Sequence, residues 1–256
     1  MKISLVQSSP VWEDPKASRE ALKKLLDAVP PTDLIVLPEM FSTGFVTAAP
    51  AGVAETQGDS LRFMQETAAA RNCAVAGSIA VETEGSFRNR FYFVYPDGSE
   101  VHYDKHHLFT YGGEHLKFTA GATPVVAEFR GVRILLQVCY DLRFPVFSRN
   151  GLLPDGSARY DLALYVASWP ETRMDAWDIL LRARAVENQC FVAGVNRVGT
   201  DPKNRYSGHS VLIGPKGQML INCKENEEDI VTFDINLQEL LAFRNQFPVL
   251  QDADSQ

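Results

Sequence analysis

Three residue types in this 256-residue chain combine into a chemistry that none has alone: the thiol of Cys139, the carboxylate of Glu39 and the ammonium of Lys105. Cys139 follows a largely apolar run, residues 132–138, with one charge at Arg133 and long enough for a buried strand. Glu39 follows the short apolar run 34–37, and Lys105 closes the second strand of a hairpin. In an open α/β sheet the ligand crevice lies beyond the carboxyl ends of the strands. A thiol, an acid and a cation meeting there suit acyl transfer through a thioester, in which the carboxylate takes the thiol proton as sulfur attacks a carbonyl. The ammonium and the backbone N–H of Tyr140 would then face the oxyanion. Plainer readings compete, because a free cysteine is most often a packed core residue and a lysine at a strand end is most often an edge charge.

The elements that must position these groups are legible as periodicity. Strands are expected at 3–7, 34–37, 73–81, 91–95, 101–105, 125–129, 132–138, 162–167, 191–196, 210–213 and 230–233. Helices are expected at 17–29 after the Asp14-Pro15 start signal, at 60–71 with Asp59 as cap, and at 175–188. Strand and helix alternate early and hairpins follow, so the reading is an α/β protein with mixed sheets. The loop 106–123, which holds Gly112, Gly113 and Glu114, has a length kept for function or lost to disorder. Residues 1–250 read as one domain, and 251–256 as an unstructured tail.

Composition narrows the partners. A net charge of −7 without a Lys/Arg cluster lacks the electrostatic footprint of a nucleic-acid binder. No basic-then-apolar leader or membrane-length apolar stretch appears, which points to the cytoplasm and to no membrane partner. Cys73, Cys139, Cys190 and Cys223 show no CxxC spacing and read as reduced thiols, three of them inert core residues. His106-His107 lacks a third ligand of matched spacing, so no metal is expected.

Leu37-Pro38-Glu39-Met40, Tyr103-Asp104-Lys105 and Gln137-Val138-Cys139-Tyr140-Asp141-Leu142-Arg143-Phe144-Pro145, in that order, resemble the three catalytic motifs of the nitrilase superfamily of carbon–nitrogen hydrolases. Residues 113–116, 164–170, 182–189, 194–199 and Phe247-Pro248 extend the similarity to its bacterial omega-amidase branch. The resemblance implies an αββα sandwich, two mixed β-sheets flanked by helices, usually as a homodimer. It implies hydrolysis of the terminal amide of 2-oxo dicarboxylic acid monoamides such as 2-oxoglutaramate and 2-oxosuccinamate, with no cofactor. It makes Glu39 the general base, Lys105 the oxyanion-stabilising lysine, Cys139 the nucleophile and Glu114 a second glutamate beside the lysine. A nearby Lys105 is also expected to lower the Cys139 pKa.

An oxo-acid substrate needs a counter-charge, preferably a guanidinium. Arg143 and Arg173 are the candidates, although Arg143 reads as readily as a structural partner of Asp141 or Glu187. Trp169, Phe41, Tyr111 and Tyr140 are expected to line the pocket. Three rivals remain: another superfamily specificity such as a carbamoylase or nitrilase, a catalytically silent oligomeric binding protein, and a Cys–His hydrolase using His115 or His209.

Overall fold

Continuous apolar runs give strands that bury both faces. The computed structural model describes residues 1–47, 50–56 and 58–253. Its first sheet holds β1 (Lys2–Gln7), β2 (Leu34–Val36), β3 (Ala74–Thr83), β4 (Ser86–Val94), β5 (Glu100–Asp104) and β14 (Asp229–Asp234), in the order β14-β1-β2-β3-β4-β5. The second holds β6 (Val125–Phe129), β7 (Val132–Val138), β8 (Leu162–Ala167), β9 (Phe191–Asn196), β12 (Val211–Ile213) and β13 (Met219–Asn222), in the order β13-β12-β9-β8-β7-β6. A separate hairpin joins β10 (Val198–Thr200) to β11 (Arg205–Ser207). Parallel strands form both centres, β1-β2-β3 and β7-β8-β9, with antiparallel strands outside.

Inward residues of the first sheet, Ile3, Leu5, Leu34, Val36, Phe91 and Phe93, share one core with Ile134, Leu136 and Leu164 of the second. Their outward neighbours Val6, Ile35, Leu37 and Val75 meet Leu22 and Leu26 of α1 (Pro15–Leu26) and Met64 and Ala68 of α2 (Asp59–Arg71). Trp177, Leu181 and Ala185 of α3 (Met174–Asn188) extend the first core to the second sheet's outer face. Each such aliphatic side chain is worth about 1.5–3 kcal/mol when fully buried. The result is the expected αββα sandwich of two mixed sheets. No helix among the described residues is long and apolar enough to cross a membrane.

Boundaries differ where polar groups decide them. α1 starts at Pro15 because the Asp14 carboxylate accepts from the Ala17 N–H at 2.9 Å. Asp59 does not cap α2; it pairs with Arg62, and Glu55 accepts the Ser60 N–H at 2.7 Å instead. β3 and β4 join at the left-handed Glu84-Gly85 turn and form a long hairpin, whose charged outer half hid it from apolar patterning. Near the C-terminus, α4 (Leu237–Gln246) is followed by a 3-10 turn over Val249–Asp252 that buries Leu250, so the first two residues of the expected tail are ordered; 254–256 lie outside the described residues.

Candidate active site

Beyond β2 the chain leaves the sheet while pressed against β3. Leu37 N–H donates to Ala76 O at 2.7 Å, Met40 N–H to Ser78 Oγ at 2.9 Å, and Met40 adopts a left-handed φ of 46°. A Cβ on Gly77 would lie 2.9 Å from Leu37 Cβ, so only glycine permits this approach. The Glu39 side chain is thereby driven inward, where it is fully buried. Its Oε2 accepts the Ser168 N–H at 2.8 Å, just past the end of β8, so the carboxylate ties the two sheets together.

Lys105 follows β5 and is 1% exposed, not the edge charge of the plainer reading. Its Nζ donates at 2.9 Å to both Glu39 Oε1 and Glu114 Oε2. Glu114 is fully buried, because the 106–123 loop folds into two 3-10 turns and the Phe109 N–H donates to Glu114 Oε2 at 2.7 Å. Burial works hardest against the Lys105 charge, but the charges of Glu114, Glu39 and Cys139 outweigh it and raise its pKa. Burial raises the Glu114 carboxyl, with Lys105 opposing and Glu39 reinforcing the rise.

Sequence reasoning missed Asn89. From β4 its Nδ2 donates to Glu39 Oε1 at 2.8 Å and to Glu114 Oε1 at 3.1 Å. The available signal was weak: an asparagine between Arg88 and Arg90, just ahead of the apolar run 91–95.

Cys139 lies at the end of β7 in a left-handed conformation, φ 48°, opening a 3-10 turn over Cys139–Arg143. Asp141 secures this turn, accepting from Val138 N at 3.0 Å, Tyr103 Oη at 2.8 Å and His107 N at 3.0 Å. The last two donors flank Lys105, so one carboxylate registers sulfur against ammonium. Arg184 of α3 supports the turn from behind, donating to Leu142 O at 2.6 Å. Lys105 does lower the Cys139 pKa, as expected, but it is outweighed. Burial, then the Glu39 charge, push the thiol well above its ordinary range, and the lysine does not offset them. A thiol raised in this way needs a base beside it to attack.

This yields a pH prediction. Iodoacetamide modification of Cys139, followed by peptide mapping, should keep accelerating past pH 9, the ordinary thiol value, because the thiolate fraction is still rising there. A plateau below about pH 8 would contradict the raised thiol. Cys73 and Cys223, fully buried and pushed up by burial to about 11 and about 12, serve as unreactive controls.

Cys139 opens on a cavity of about 340 Å³. Tyr140, Arg143, Trp169, Arg173 and Tyr111 all line it, as the sequence reading expects. Phe41 does not; the left-handed turn at Met40 sends its ring into the core under α1 and α2, and Phe45 takes the wall position. Arg143 stacks over Trp169 with 4.9 Å from Cζ to the ring centroid, while its supposed structural partners are occupied: Asp141 as above, Glu187 by Arg184. Arg173 lies over Phe109 and Tyr111 at 5.3 and 5.8 Å. His115 is exposed, and His209 binds Asp178 in another cleft, so neither lines the cavity as a Cys–His mechanism requires. His106 and His107 stack on Phe147 and Phe144.

The chain is similar over most of its length to known proteins. The family profile described as carbon-nitrogen hydrolase matches residues 2–245. The omega-amidase YafV of Escherichia coli is 44% identical over 99% of this chain and 97% of its own, and a 2-oxoglutaramate amidase of Bacillus subtilis is 37% identical over 86% and 84%. The crystal structure of XC1258 from Xanthomonas campestris, a CN-hydrolase superfamily protein with an arsenic adduct in its active site, superposes with a TM-score of 0.96 at 42% identity, covering 100% of this chain and 98% of that one. With the profile spanning nearly all of the sandwich and its cavity, the chain belongs to the carbon-nitrogen hydrolase family.

Proposed function

We propose that the protein is an omega-amidase that hydrolyses the terminal amide of 2-oxo dicarboxylic acid monoamides, with 2-oxoglutaramate and 2-oxosuccinamate as the type substrates. One observation carries the reading: Cys139 feels the charges of a buried Glu39–Lys105–Glu114 clamp on one side, and on the other opens on a cavity lined by two guanidiniums, Arg143 and Arg173, stacked on aromatic rings. The relatives named for these activities support the same substrate class.

In the proposed cycle Cys139 Sγ attacks the amide carbon as its proton passes to Glu39. The oxyanion forms beside the Lys105 ammonium and the Tyr140 N–H. The C–N bond breaks as Glu39 returns the proton to nitrogen, releasing ammonia and leaving a thioester. Water then attacks that carbon, gives a proton to Glu39, and the C–S bond breaks to regenerate the thiol and release the dicarboxylate. The raised thiol pKa fits this cycle, because attack is coupled to proton transfer. Glu114 holds the second side of the lysine.

At the far end of the substrate, the carboxylate is assigned to Arg143 and Arg173. Replacing either with leucine should lower kcat/KM for 2-oxoglutaramate roughly 10- to 100-fold, chiefly through KM, as expected for a lost charge-assisted contact. Steady-state ammonia release checks this; unchanged KM in both variants would remove the assignment. The function itself is tested by ammonia release from 2-oxoglutaramate, N-carbamoyl amino acids and nitriles. Preference for a carbamoyl compound or a nitrile would replace omega-amidase with another specificity of the family, and release from none would favour a silent binding protein.

Four free, buried thiols suit a reducing compartment, so the enzyme is assigned to the cytoplasm. A homodimer is also proposed, since Ile179 and Val186 on α3 and Phe247 beyond α4 remain exposed apolar side chains. Light scattering that gave the mass of one chain would refute it.

A further inference from the structure

Asn89 bridges the two acids of the clamp, yet its chemistry differs from that of its neighbours. It is 1% exposed, it comes from the middle of β4, and its backbone carbonyl accepts the Lys105 N–H at 2.9 Å. Both groups facing its side chain are carboxyl groups, which accept only when ionised, and the amide presents its nitrogen to both. Both Nδ2 hydrogens are therefore committed, one to Glu39 Oε1 and one to Glu114 Oε1. Its Oδ1 has no partner among the described residues. An unpaired buried oxygen costs stability, so the residue is a poor choice for packing alone.

Counting acceptor positions makes its effect specific. A carboxylate offers about four lone-pair sites, two on each oxygen. Glu39 Oε1 receives Lys105 Nζ and Asn89 Nδ2 and is saturated, whereas Oε2 receives only the Ser168 N–H. Glu114 Oε2 receives Lys105 Nζ and the Phe109 N–H and is likewise saturated, leaving Oε1 with the Asn89 contact alone.

We propose that Asn89 is a positioning residue that confines proton transfer to Oε2 of Glu39. By occupying the second site on Oε1 it denies the proton that oxygen, and as a neutral donor to both acids it supports two carboxylates beside one ammonium. The proposal rests on the amide-hydrolysis reading, because a proton needs one fixed seat only if the same carboxylate must take it from sulfur and return it to nitrogen. Without Asn89 the proton can settle on Oε1, and the charged forms lose a donor, which moves carboxylate titration upward in pH.

The test compares ammonia release from 2-oxoglutaramate by wild type, Asn89→Leu and Asn89→Asp across pH, with thermal unfolding alongside. Asn89→Leu should lose roughly 10- to 100-fold in kcat with KM little changed, and the acid limb of its profile should move to higher pH. Asn89→Asp should do the opposite with pH: it donates only when protonated, so its residual activity should rise toward acid. A lowered melting temperature with an unmoved acid limb in Asn89→Leu would reduce the residue to a structural one and overturn the proposal. If Asn89→Leu does not fold, Asn89→Asp decides, and a profile parallel to wild type refutes it. Absence of activity in the wild type would instead sink the omega-amidase reading.

Discussion

Changing Cys139 to alanine is expected to abolish ammonia release, a loss on the order of 10⁶-fold by comparison with hydrolases stripped of their nucleophile. No neighbouring side chain can take over. The Ser168 hydroxyl in the same cavity donates to Glu39 O at 3.2 Å, and the carboxylates are held by Lys105 and Asn89. The contacts that join Lys105 and Asn89 to Glu39 and Glu114 do not involve the sulfur, so the variant should fold and retain substrate binding. Ammonia release and isothermal titration with 2-oxoglutaramate check the two halves separately. Retained turnover would mean that the thiol is a packed core residue after all.

Lys105→Met should show the next largest effect, on activity and stability together. The substitution keeps much of the side-chain shape but leaves Glu39 and Glu114, both fully buried, without their shared cation. Stranding buried charge in this way typically costs about 3–5 kcal/mol. Loss of an oxyanion contact should lower kcat a further ~10²–10³-fold in whatever remains folded. The instability should depend on pH with a definite sign. Without the ammonium, the Glu114 carboxyl, already raised by burial, rises further above its unfolded value. The folded variant then binds more protons than the unfolded chain, so its stability falls as pH increases through that interval. Denaturant melts of wild type and variant at mildly acidic and mildly alkaline pH provide the check; an equal deficit at both would remove the electrostatic account.

Much of the framework was legible because apolar runs report burial directly. β6, β7, β8 and β9 begin and end where the runs do, and Glu39, Lys105 and Cys139 stand just past strand ends that tertiary folding brings together. What escaped was set by contacts distant in sequence. Asn89 sits in the charged half of a hairpin that apolar periodicity does not register, and its purpose appears only when Glu39 and Glu114 arrive from elsewhere. The 106–123 loop looks mobile by composition, yet one buried ion pair and a backbone amide fix Glu114 within it. Phe41 was misassigned because a left-handed residue before it reverses the direction of its side chain. The sign of the Cys139 shift was likewise beyond sequence, since it depends on burial and Glu39 prevailing over Lys105.

The proposed cycle passes through covalent attachment of the acyl group to one sulfur. Acid-quenching the enzyme during turnover of 2-oxoglutaramate and measuring intact and peptide masses tests this directly. The expected result is an adduct of the acyl fragment, the substrate less ammonia, on the Cys139 peptide, absent from Cys139→Ala and from peptides containing Cys73, Cys190 or Cys223. Continued turnover by Cys139→Ala, or an acyl adduct on any other residue, would contradict it.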